Sequence, residues 1–366
     1  MLITFGAIYR YFESFLRESA SLPVITKLTI SCGNFVLSFF RAAAQLLAMK
    51  ISCILSLMLV ASLCVAAEKK TDGTFLTVAE AGRDYLDQGE YKNEWGGAHV
   101  IALGNDNFRL VTYKGGLPGA GWDKESRTEI SGKRDGDKIV FTGANDYRAE
   151  LSQGKISIKS TSGGPWTMEK VERKSPTMGA KAPKGAIVLF DGKDADAWEK
   201  GHLDERGLLA AGCKSKQNFG DFKAHLEFLL PFKPLGRGQD RGNSGVYLQD
   251  RYECQVLDSF GLTGEDNECG GFYKKAKPSE NMCFPPLVWQ TYDIDFTSAK
   301  FDKEGKKTKN AVVSVKHNGV TIHDKFEVTG PTAGNGKPED SSGGPIALQG
   351  HGNPVFYRNI WVVEKK

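Results

Sequence analysis

The sequence predicts an all-β protein in which a jelly-roll sandwich follows a smaller β-rich domain. Short apolar runs separated by Gly, Pro, Asn and Asp fill the chain from about residue 73 onward, and few segments have a helical period. At 366 residues with 40% hydrophobic content, the chain is long enough for two buried cores. Many short strands with frequent turns are typical of antiparallel sandwiches.

The N-terminal part of the chain has the pattern of a cleaved leader sequence. After Met49 come one lysine, an uncharged apolar run from Ile51 to Leu63 and a small-residue exit ending at Ala67, which together are typical of a signal peptide. We therefore expect 49–67 to be a signal peptide and 1–48 to be a non-native extension. The mature protein would be secreted or periplasmic, without stable membrane insertion after cleavage. An uncut membrane anchor is the alternative.

The charge balance excludes one class of partner. The formal net charge is +4, and the first 67 residues hold five basic and two acidic side chains, so the remainder carries 43 basic against 42 acidic residues. A chain with nearly equal numbers of basic and acidic residues lacks the excess positive charge that is typical of nucleic-acid-binding proteins.

Composition divides the rest of the chain into three parts. We expect residues 68–173 to form a small β-rich accessory domain that begins with a short helical or irregular segment, FLTVAEAGRDYLD. The stretch 174–185 has two prolines, two glycines and almost no large apolar residue, which is typical of a linker. Residues 186–366 predict the sandwich. Within it, Asn318-Gly319 predicts a two-residue hairpin turn, and 331–345 predicts a mobile rim loop or a disordered segment.

Export favours disulfides, and four of the seven cysteines lie beyond the leader. Cys269 and Cys283 share one loop-like stretch and are the pair that we expect to be bridged. Cys213 and Cys254 are expected to be buried thiols or a second bridge. The chain has no CxxC or HExxH spacing, so a structural zinc site is unsupported.

The stretch from Gly242 to Asp258 predicts a β-hairpin with one polar and one apolar face. Side chains alternate along a strand, so a turn at residues 249–251 places on the polar face Tyr247, Arg251, Glu253 and Gln255. The apolar face then carries Val246, Leu248, Tyr252, Cys254 and Val256. A polar face can be simple solvation of an antiparallel sheet. Glu and Gln are disfavoured in strands, however, and beside an aromatic ring and a guanidinium they favour a sugar-binding surface.

Seven segments in order carry a family resemblance over about residues 185–365. They are VLFDGKDADAW, FGDFKAHLEFLLP, GNSGVYLQDRYECQVLDS, CGGFY, WQTYDIDF, VKHNGVTIHD and LQGHGNPVFYRNIWV. In this set the chain resembles the domain of unknown function 1080, described as the 3-keto-disaccharide hydrolase or 3-keto-glucoside 1,2-lyase/hydratase domain. The resemblance implies a concanavalin A-like lectin/glucanase fold and a carbohydrate substrate. Two departures are Cys254, where an aliphatic residue is usual, and Gly350, where the family often has Asp.

The implied reaction needs a base, a group that stabilises an enolate and a proton donor for the departing oxygen. Glu253 is the first candidate for the base, and His351, in the Gly-rich turn GHGNP, is its rival. The enolate charge could be met by Arg251, Asn243, or a divalent metal held by Glu253, Gln255 and His351. Tyr247, Tyr273 and Trp289 are candidate ring platforms or core residues. The expected substrate-binding set is Asn243, Tyr247, Arg251, Gln255, Asp258, Tyr273, Trp289 and Gln349.

Two other functions compete. Glu253 to Asp258 is similar to the E-x-D-x-x-E signature of family 16 retaining glucanases, with Gln255 in place of the central carboxylate. Retaining hydrolysis needs two carboxyls about 5 Å apart, whereas a regular strand separates positions i and i+5 by about 16 Å on opposite faces. A bulge would have to bring them together. A non-catalytic lectin-like glycan-binding module is the third possibility.

Overall fold

The prediction of an all-β protein is confirmed. The computed structural model describes residues 73–144, 147–160, 163–334 and 336–366, and the predicted extension and signal peptide lie outside these residues. One α-helix, α1 (Val78–Asp87), coincides with the segment that was expected to be helical or irregular. Its N-cap is Thr77, whose side chain accepts a hydrogen bond from Glu80 N. No helix in the described parts of the chain is long and apolar enough to cross a membrane.

The first eight strands close into an antiparallel barrel in which each strand pairs with its neighbours in sequence. Their bounds are β1 Gly89–Lys92, β2 Gly96–Gly104, β3 Asn107–Lys114, β4 Arg127–Asp135, β5 Lys138–Thr142, β6 Arg148–Ser152, β7 Lys155–Ser160 and β8 Gly163–Val171. Pairing of β1 with β8 closes the barrel and leaves no free edge. Helix α1 covers one end, because Arg134 of β4 binds Asp84 at 2.8 Å and Asp87 at 2.7 Å.

The remaining strands form a sandwich of a five-stranded and a seven-stranded sheet. The five-stranded sheet has the order β10 (Trp198–Glu199), β12 (Cys213–Ser215), β21 (Ala347–Leu348), β14 (Ser244–Leu248) and β15 (Tyr252–Val256). The seven-stranded sheet has the order β11 (Leu209–Ala210), β22 (Phe356–Glu364), β13 (Phe222–Leu229), β16 (Gln290–Thr297), β19 (Ala311–His317) and β20 (Val320–Val328), with β9 (Ile187–Phe190) on β22. A two-stranded ribbon joins β17 (Lys300–Phe301) and β18 (Lys307–Lys309).

The central hairpin forms as predicted. Strands β14 and β15 pair without a register shift from Ser244↔Val256 to Leu248↔Tyr252. The apolar side of the hairpin lies in the core between the two sheets. Gln249 and Asp250 form the turn with a φ of 57° each, a conformation that a short polar turn residue tolerates better than a β-branched one. The predicted turn at Asn318-Gly319 is confirmed, with His317 paired to Val320.

Barrel and sandwich pack against one another in a single compact unit, Lys70–Lys366. The His99 ring of the barrel stacks on the Phe260 ring of the sandwich, with centroids 4.4 Å apart. Arg241 links the two parts through a buried ion pair with Asp258 (Nε to Oδ2, 2.8 Å) and a hydrogen bond to Ala102 O at 3.2 Å. A buried pair of this kind is costly to break, since removing one partner leaves the other charge unpaired.

The predicted linker lies along the outer face of the seven-stranded sheet. Gly179 N donates to Glu227 Oε1 at 2.6 Å, and Thr177 Oγ1 donates to Asp293 Oδ2 at 2.7 Å. Burial alone would raise the pKa of Glu227, but hydrogen bonds from His225, Asn359 and Arg358 outweigh it and lower the pKa to about 2. Glu227 is therefore ionised at neutral pH, and its carboxylate anchors this segment.

The predicted disulfide is not formed. All four described cysteines are buried free thiols, as expected for Cys213 and Cys254 but not for Cys269 and Cys283. A side-chain hydrogen bond joins the last two thiols. Each also has another partner: Cys269 Sγ lies 3.3 Å from Tyr292 Oη, and Cys283 Sγ donates to Phe284 O at 3.4 Å. The two thiols are satisfied within the core without a covalent bond.

Candidate active-site cleft

A row of five side chains crosses the outer face of the five-stranded sheet, one from each strand. Cross-strand pairing joins them in the order Glu199, Lys214, Ala347, Tyr247 and Glu253. Their neighbours along the strands, such as Cys213, Leu348 and Val246, point the other way into the core. The side chains of the row are polar except at its centre. There the small side chain of Ala347 leaves a gap between Lys214 and Tyr247.

A cleft of about 510 Å³ lies over this gap. Its lining residues are Glu199, Lys200, Gly212, Cys213, Lys214, Tyr247, Asp250, Lys337, Ala347, Leu348, Gln349 and Gly350. Adjacent strands are about 4.8 Å apart, so Lys214 and Tyr247, two strands apart, face each other across about 10 Å. That width suits a single pyranose ring.

Tyr247 and Glu253 form a hydrogen-bonded pair at one wall of the cleft. Tyr247 Oη donates to Glu253 Oε2 at 2.8 Å, and Gln349 Nε2 donates to Tyr247 Oη at 3.3 Å. Tyr247 is buried but lines the cleft, whereas Glu253 does not line it, so Tyr247 lies between the carboxyl and the cleft.

The environment of Glu253 holds its carboxyl close to half-ionised at neutral pH. The residue is 2% exposed, and burial raises the pKa of the carboxyl to about 7 against the lowering effect of the Tyr247 hydroxyl. The side chain fits because it lies over Gly245, where a Cβ would come within 2.3 Å of Glu253 Oε1. Any residue other than glycine at position 245 would displace the carboxyl.

A buried network of amides continues behind Glu253. The Gln255 amide lies 3.0 Å from Glu253 Oε1 and 2.9 Å from Gln239 Oε1. Asn243 Nδ2 donates to Gln239 O and Oε1, at 2.9 and 3.1 Å. Gln255 and Asn243 do not line the cleft but belong to the amide network behind Glu253. Their contact with a substrate stays a prediction.

Arg251 and Asp258 do not belong to this surface, contrary to prediction. Arg251 leaves the polar face because it belongs to the turn. Its guanidinium binds Asp340 at 2.7 Å and Pro338 O at 2.9 Å, which holds the 331–345 segment over the hairpin. Asp258 lies beyond the end of β15 and is buried in the ion pair with Arg241.

The predicted ring platforms separate in space. Tyr247 lines the cleft, whereas Trp289 stacks on the Arg358 guanidinium at 3.9 Å, and Arg358 is in turn paired with Glu227 of the opposite sheet. Trp289 therefore packs against a residue of the seven-stranded sheet and is not part of the cleft lining. Tyr273 lies along the free edge of β15, where its backbone N–H donates to Glu253 O at 3.2 Å, and its ring is not part of the cleft lining.

His351 follows Gly350 at the rim of the cleft, but its side chain is exposed. The described residues give it no side-chain hydrogen bond or ion pair to Glu253 or Gln255, so the three do not meet as a ligand set. The described chain also has no group of three or more His, Cys, Asp or Glu that could hold a metal ion. The catalytic role of His351 stays a prediction.

Three residues of the row were missed in the sequence: Glu199, Lys214 and Ala347. Each lies on a strand of only two or three residues, too short for a periodic signal. Strands β12 and β21 pair although more than a hundred residues separate them in the chain. The alternation at Cys213, Lys214 and Ser215 becomes clear only from burial in the fold, where Lys214 alone of the three is exposed.

A polar cleft across one sheet of a β-sandwich fits a sugar, and the family match of the sandwich places the protein in the class of carbohydrate-active enzymes. Residues 185–363 match the family described as the 3-keto-alpha-glucoside-1,2-lyase-like domain, and this part of the chain, the sandwich, belongs to that family. This confirms the resemblance found in the sequence.

Three solved structures from Parabacteroides distasonis ATCC 8503, each described as a putative glycosyl hydrolase, are similar to half of the chain. One is 37% identical, with 85% of its own length covered and a TM-score of 0.47. The others are 17% and 19% identical, with 95% and 94% of their lengths covered and TM-scores of 0.38 and 0.32. Comparison with curated proteins gave no match.

Proposed function

We propose that the sandwich cleaves 3-keto-glycosides, including 3-keto-disaccharides, by base-assisted elimination. The observation that carries this proposal is the cleft-lining Tyr247 phenol backed by a carboxyl with a pKa of about 7. A ketone at C3 of a sugar acidifies the hydrogen on C2. Loss of that proton gives an enolate, which expels the substituent on C1. The enzyme must therefore accept a proton, stabilise an oxyanion and return a proton to the departing oxygen.

Tyr247 and Glu253 can perform both proton transfers as a relay. Tyr247 Oη takes the proton from C2 while its own proton passes to Glu253 Oε2, 2.8 Å away. The C2–H electron pair forms the enolate, and the C1–O bond then breaks. The reverse relay, from Glu253 through Tyr247, protonates the leaving oxygen. A group with a pKa near the working pH serves well in both directions.

Lys214 supplies the positive charge that the enolate requires. It lines the same cleft, two strands from Tyr247 across Ala347, and its ammonium is 3.4 Å from Glu199 Oε2. With a sugar ring over Ala347, C2 faces Tyr247 and the C3 oxygen faces Lys214. Addition of water to the unsaturated product at C1 gives net hydrolysis, so lyase and hydrolase outcomes share this first step.

Direct hydrolysis by a carboxylate pair is disfavoured by the geometry. The pairing of β14 with β15 has no bulge, and Asp258 is committed to Arg241. Glu199, the other carboxylate of the row, lies four strands from Glu253, or about 19 Å away. Both glycosidase mechanisms use shorter separations, at most about 9.5 Å.

The discriminating experiment compares a 3-keto-disaccharide with its unoxidised parent. The purified chain is expected to release the aglycone sugar from the keto compound and to leave the parent intact, as followed by chromatography and mass spectrometry. Cleavage of the parent at a similar rate would favour the hydrolase. Binding of both sugars without turnover would favour a lectin-like module. We place the activity outside the cytoplasm because 49–67 is predicted to be a signal peptide.

Replacing Lys214 with methionine tests the enolate role. The methionine keeps most of the stem and removes the charge, so kcat on the 3-keto-disaccharide should fall by about 10² to 10³, the usual effect of losing one oxyanion-stabilising group. Lys193→Met is the control, because Lys193 makes an exposed ion pair with Asp191 away from the cleft. A change in KM with kcat intact would limit Lys214 to substrate binding.

A further inference from the structure

The open end of the barrel carries an aromatic cluster that the proposed reaction does not use. Trp95 is 68% exposed and Trp166 is 51% exposed, the two tryptophans among the exposed large hydrophobic residues of the described chain. Trp95 lies in the β1–β2 turn, and Trp166 lies in β8. In an up-and-down barrel both positions are at the end opposite to the one that helix α1 covers.

One side chain ties together the backbone segments that carry the two tryptophans. Asn93 Oδ1 accepts from Trp95 N at 2.9 Å, and Asn93 Nδ2 donates to Thr167 O at 3.0 Å. The turn that presents Trp95 is therefore tied to the residue after Trp166. Oδ1 also accepts from Gly96 N at 2.9 Å, so all hydrogen bonds of this amide serve to hold the turn. The two indoles are presented on a preorganised backbone.

The direction of Trp166 is set by strand alternation. Trp166 pairs with Ile158, and Met168 pairs with Ile156. Ile156, Ile158 and Met168 are buried in the barrel core. Trp166 therefore shares the inward face of β8 with Met168, one step closer to the rim. Tyr147, hydrogen bonded to Thr112, packs on the same core at this end. Trp166 and Tyr147 thus lie at the same end of the barrel as the turn that carries the exposed Trp95.

We propose that this open end of the barrel is a carbohydrate-binding site that takes a glucan chain, separate from the catalytic cleft. An indole has a flat apolar face and a polar N–H, which complements the C–H face and the hydroxyl rim of a pyranose. The groups that hold these segments, Asn93, Thr112 and Thr167, are polar and uncharged, and Glu94, directly before Trp95, is exposed to solvent. The aliphatic members of the exposed set, Val78, Leu86, Val188 and Leu235, are not on the turns of this end, whereas a lipid-binding or protein-docking patch would gather such residues.

This site would tether the enzyme to a polymer while the sandwich acts on a small keto-sugar. It does not depend on the elimination chemistry, because it uses only the barrel. Binding and catalysis should therefore be separable by mutation.

The test uses the full chain with maltoheptaose and cellohexaose as probes, measured by isothermal titration and tryptophan fluorescence. Trp95→Ala and Trp166→Ala should each raise the Kd for the bound glucan at least 10-fold, with turnover of a 3-keto-disaccharide changed less than 2-fold. Leu86→Ala, an exposed apolar residue (60%) at the helix-covered end of the same barrel, is the control and should bind normally. Glu253→Gln should also bind normally.

Three outcomes would overturn the proposal. The first is that neither glucan binds, and the second is that binding survives both tryptophan substitutions. The third is a change in sedimentation without glucan that depends on the tryptophans, which would assign the rings to an interface between copies of the chain. Loss of turnover in the tryptophan variants would contradict the separation of the two sites. Failure of the keto-sugar assay alone would leave these results unaffected, so the two proposals fail independently.

Discussion

Glu253→Gln is expected to slow turnover by orders of magnitude and to stabilise the protein at the same time. Glutamine has the same shape and can still accept the Tyr247 hydroxyl, but it cannot take a proton, so kcat/KM on a 3-keto-disaccharide should fall by about 10² to 10⁴. For the wild type, kcat/KM should rise with pH through about 7, the pKa of this carboxyl, and the variant should lack that inflection.

The gain in stability follows from the direction of the pKa shift. The folded carboxyl keeps its proton up to about pH 7, whereas the unfolded one loses it near its ordinary value of 4.5. The unfolded state binds fewer protons in this interval, so Glu253 makes the fold less stable as the pH rises from 4.5 to 7. Above pH 7 the full cost is present, at most about 3 kcal/mol from the size of the shift. Denaturant unfolding at pH 8 should show the variant to be the more stable protein, and at pH 4 the difference should vanish.

Glu280→Gln is the matched control for that variant. Glu280 is also a buried carboxylate, but it accepts from Gly119 N and lies outside the cleft. Its replacement should leave kcat/KM unchanged. An active Glu253→Gln enzyme would remove the relay from consideration and make His351, its rival, the first candidate for the base.

Tyr247→Phe is expected to lower kcat by about 10² to 10³, because it removes the atom that exchanges protons with the substrate and leaves the ring in place. Tyr252→Phe is a close control: Tyr252 is on the neighbouring strand, its hydroxyl also donates to a carboxylate, Glu339, at 2.5 Å, and its ring lies in the core. Steady-state kinetics of the two variants should differ mainly in kcat.

The double variant Tyr247→Phe with Glu253→Gln separates a relay from two independent roles. Members of one relay act as a unit, so the double variant should be no slower than the slower single variant. If the losses multiply, Glu253 acts on the substrate by a route that bypasses the phenol. Retention of near-normal activity by Tyr247→Phe would show the same.

The sequence by itself determined the strands and the central hairpin, because alternation has a period of two wherever one face is buried. Tyr247, Glu253 and Gln255 share a face for that reason, and the turns at Gln249-Asp250 and Asn318-Gly319 follow from local backbone preferences. The alternation of side chains gave a wrong position for Arg251, because Arg251 lies in the turn and a turn residue does not continue the pleat of the strand.

Only the tertiary structure decided which strands lie side by side. Lys214 and Ala347 meet Tyr247 through pairings that join residues far apart in the chain, and such pairings depend on how a whole sheet packs. The same holds for Asp258, a plausible second carboxylate in the sequence that becomes a buried ion pair once Arg241 is placed beside it. The raised pKa of Glu253 comes from burial by loops on the outer face of the sheet, and burial is a property of the assembled fold.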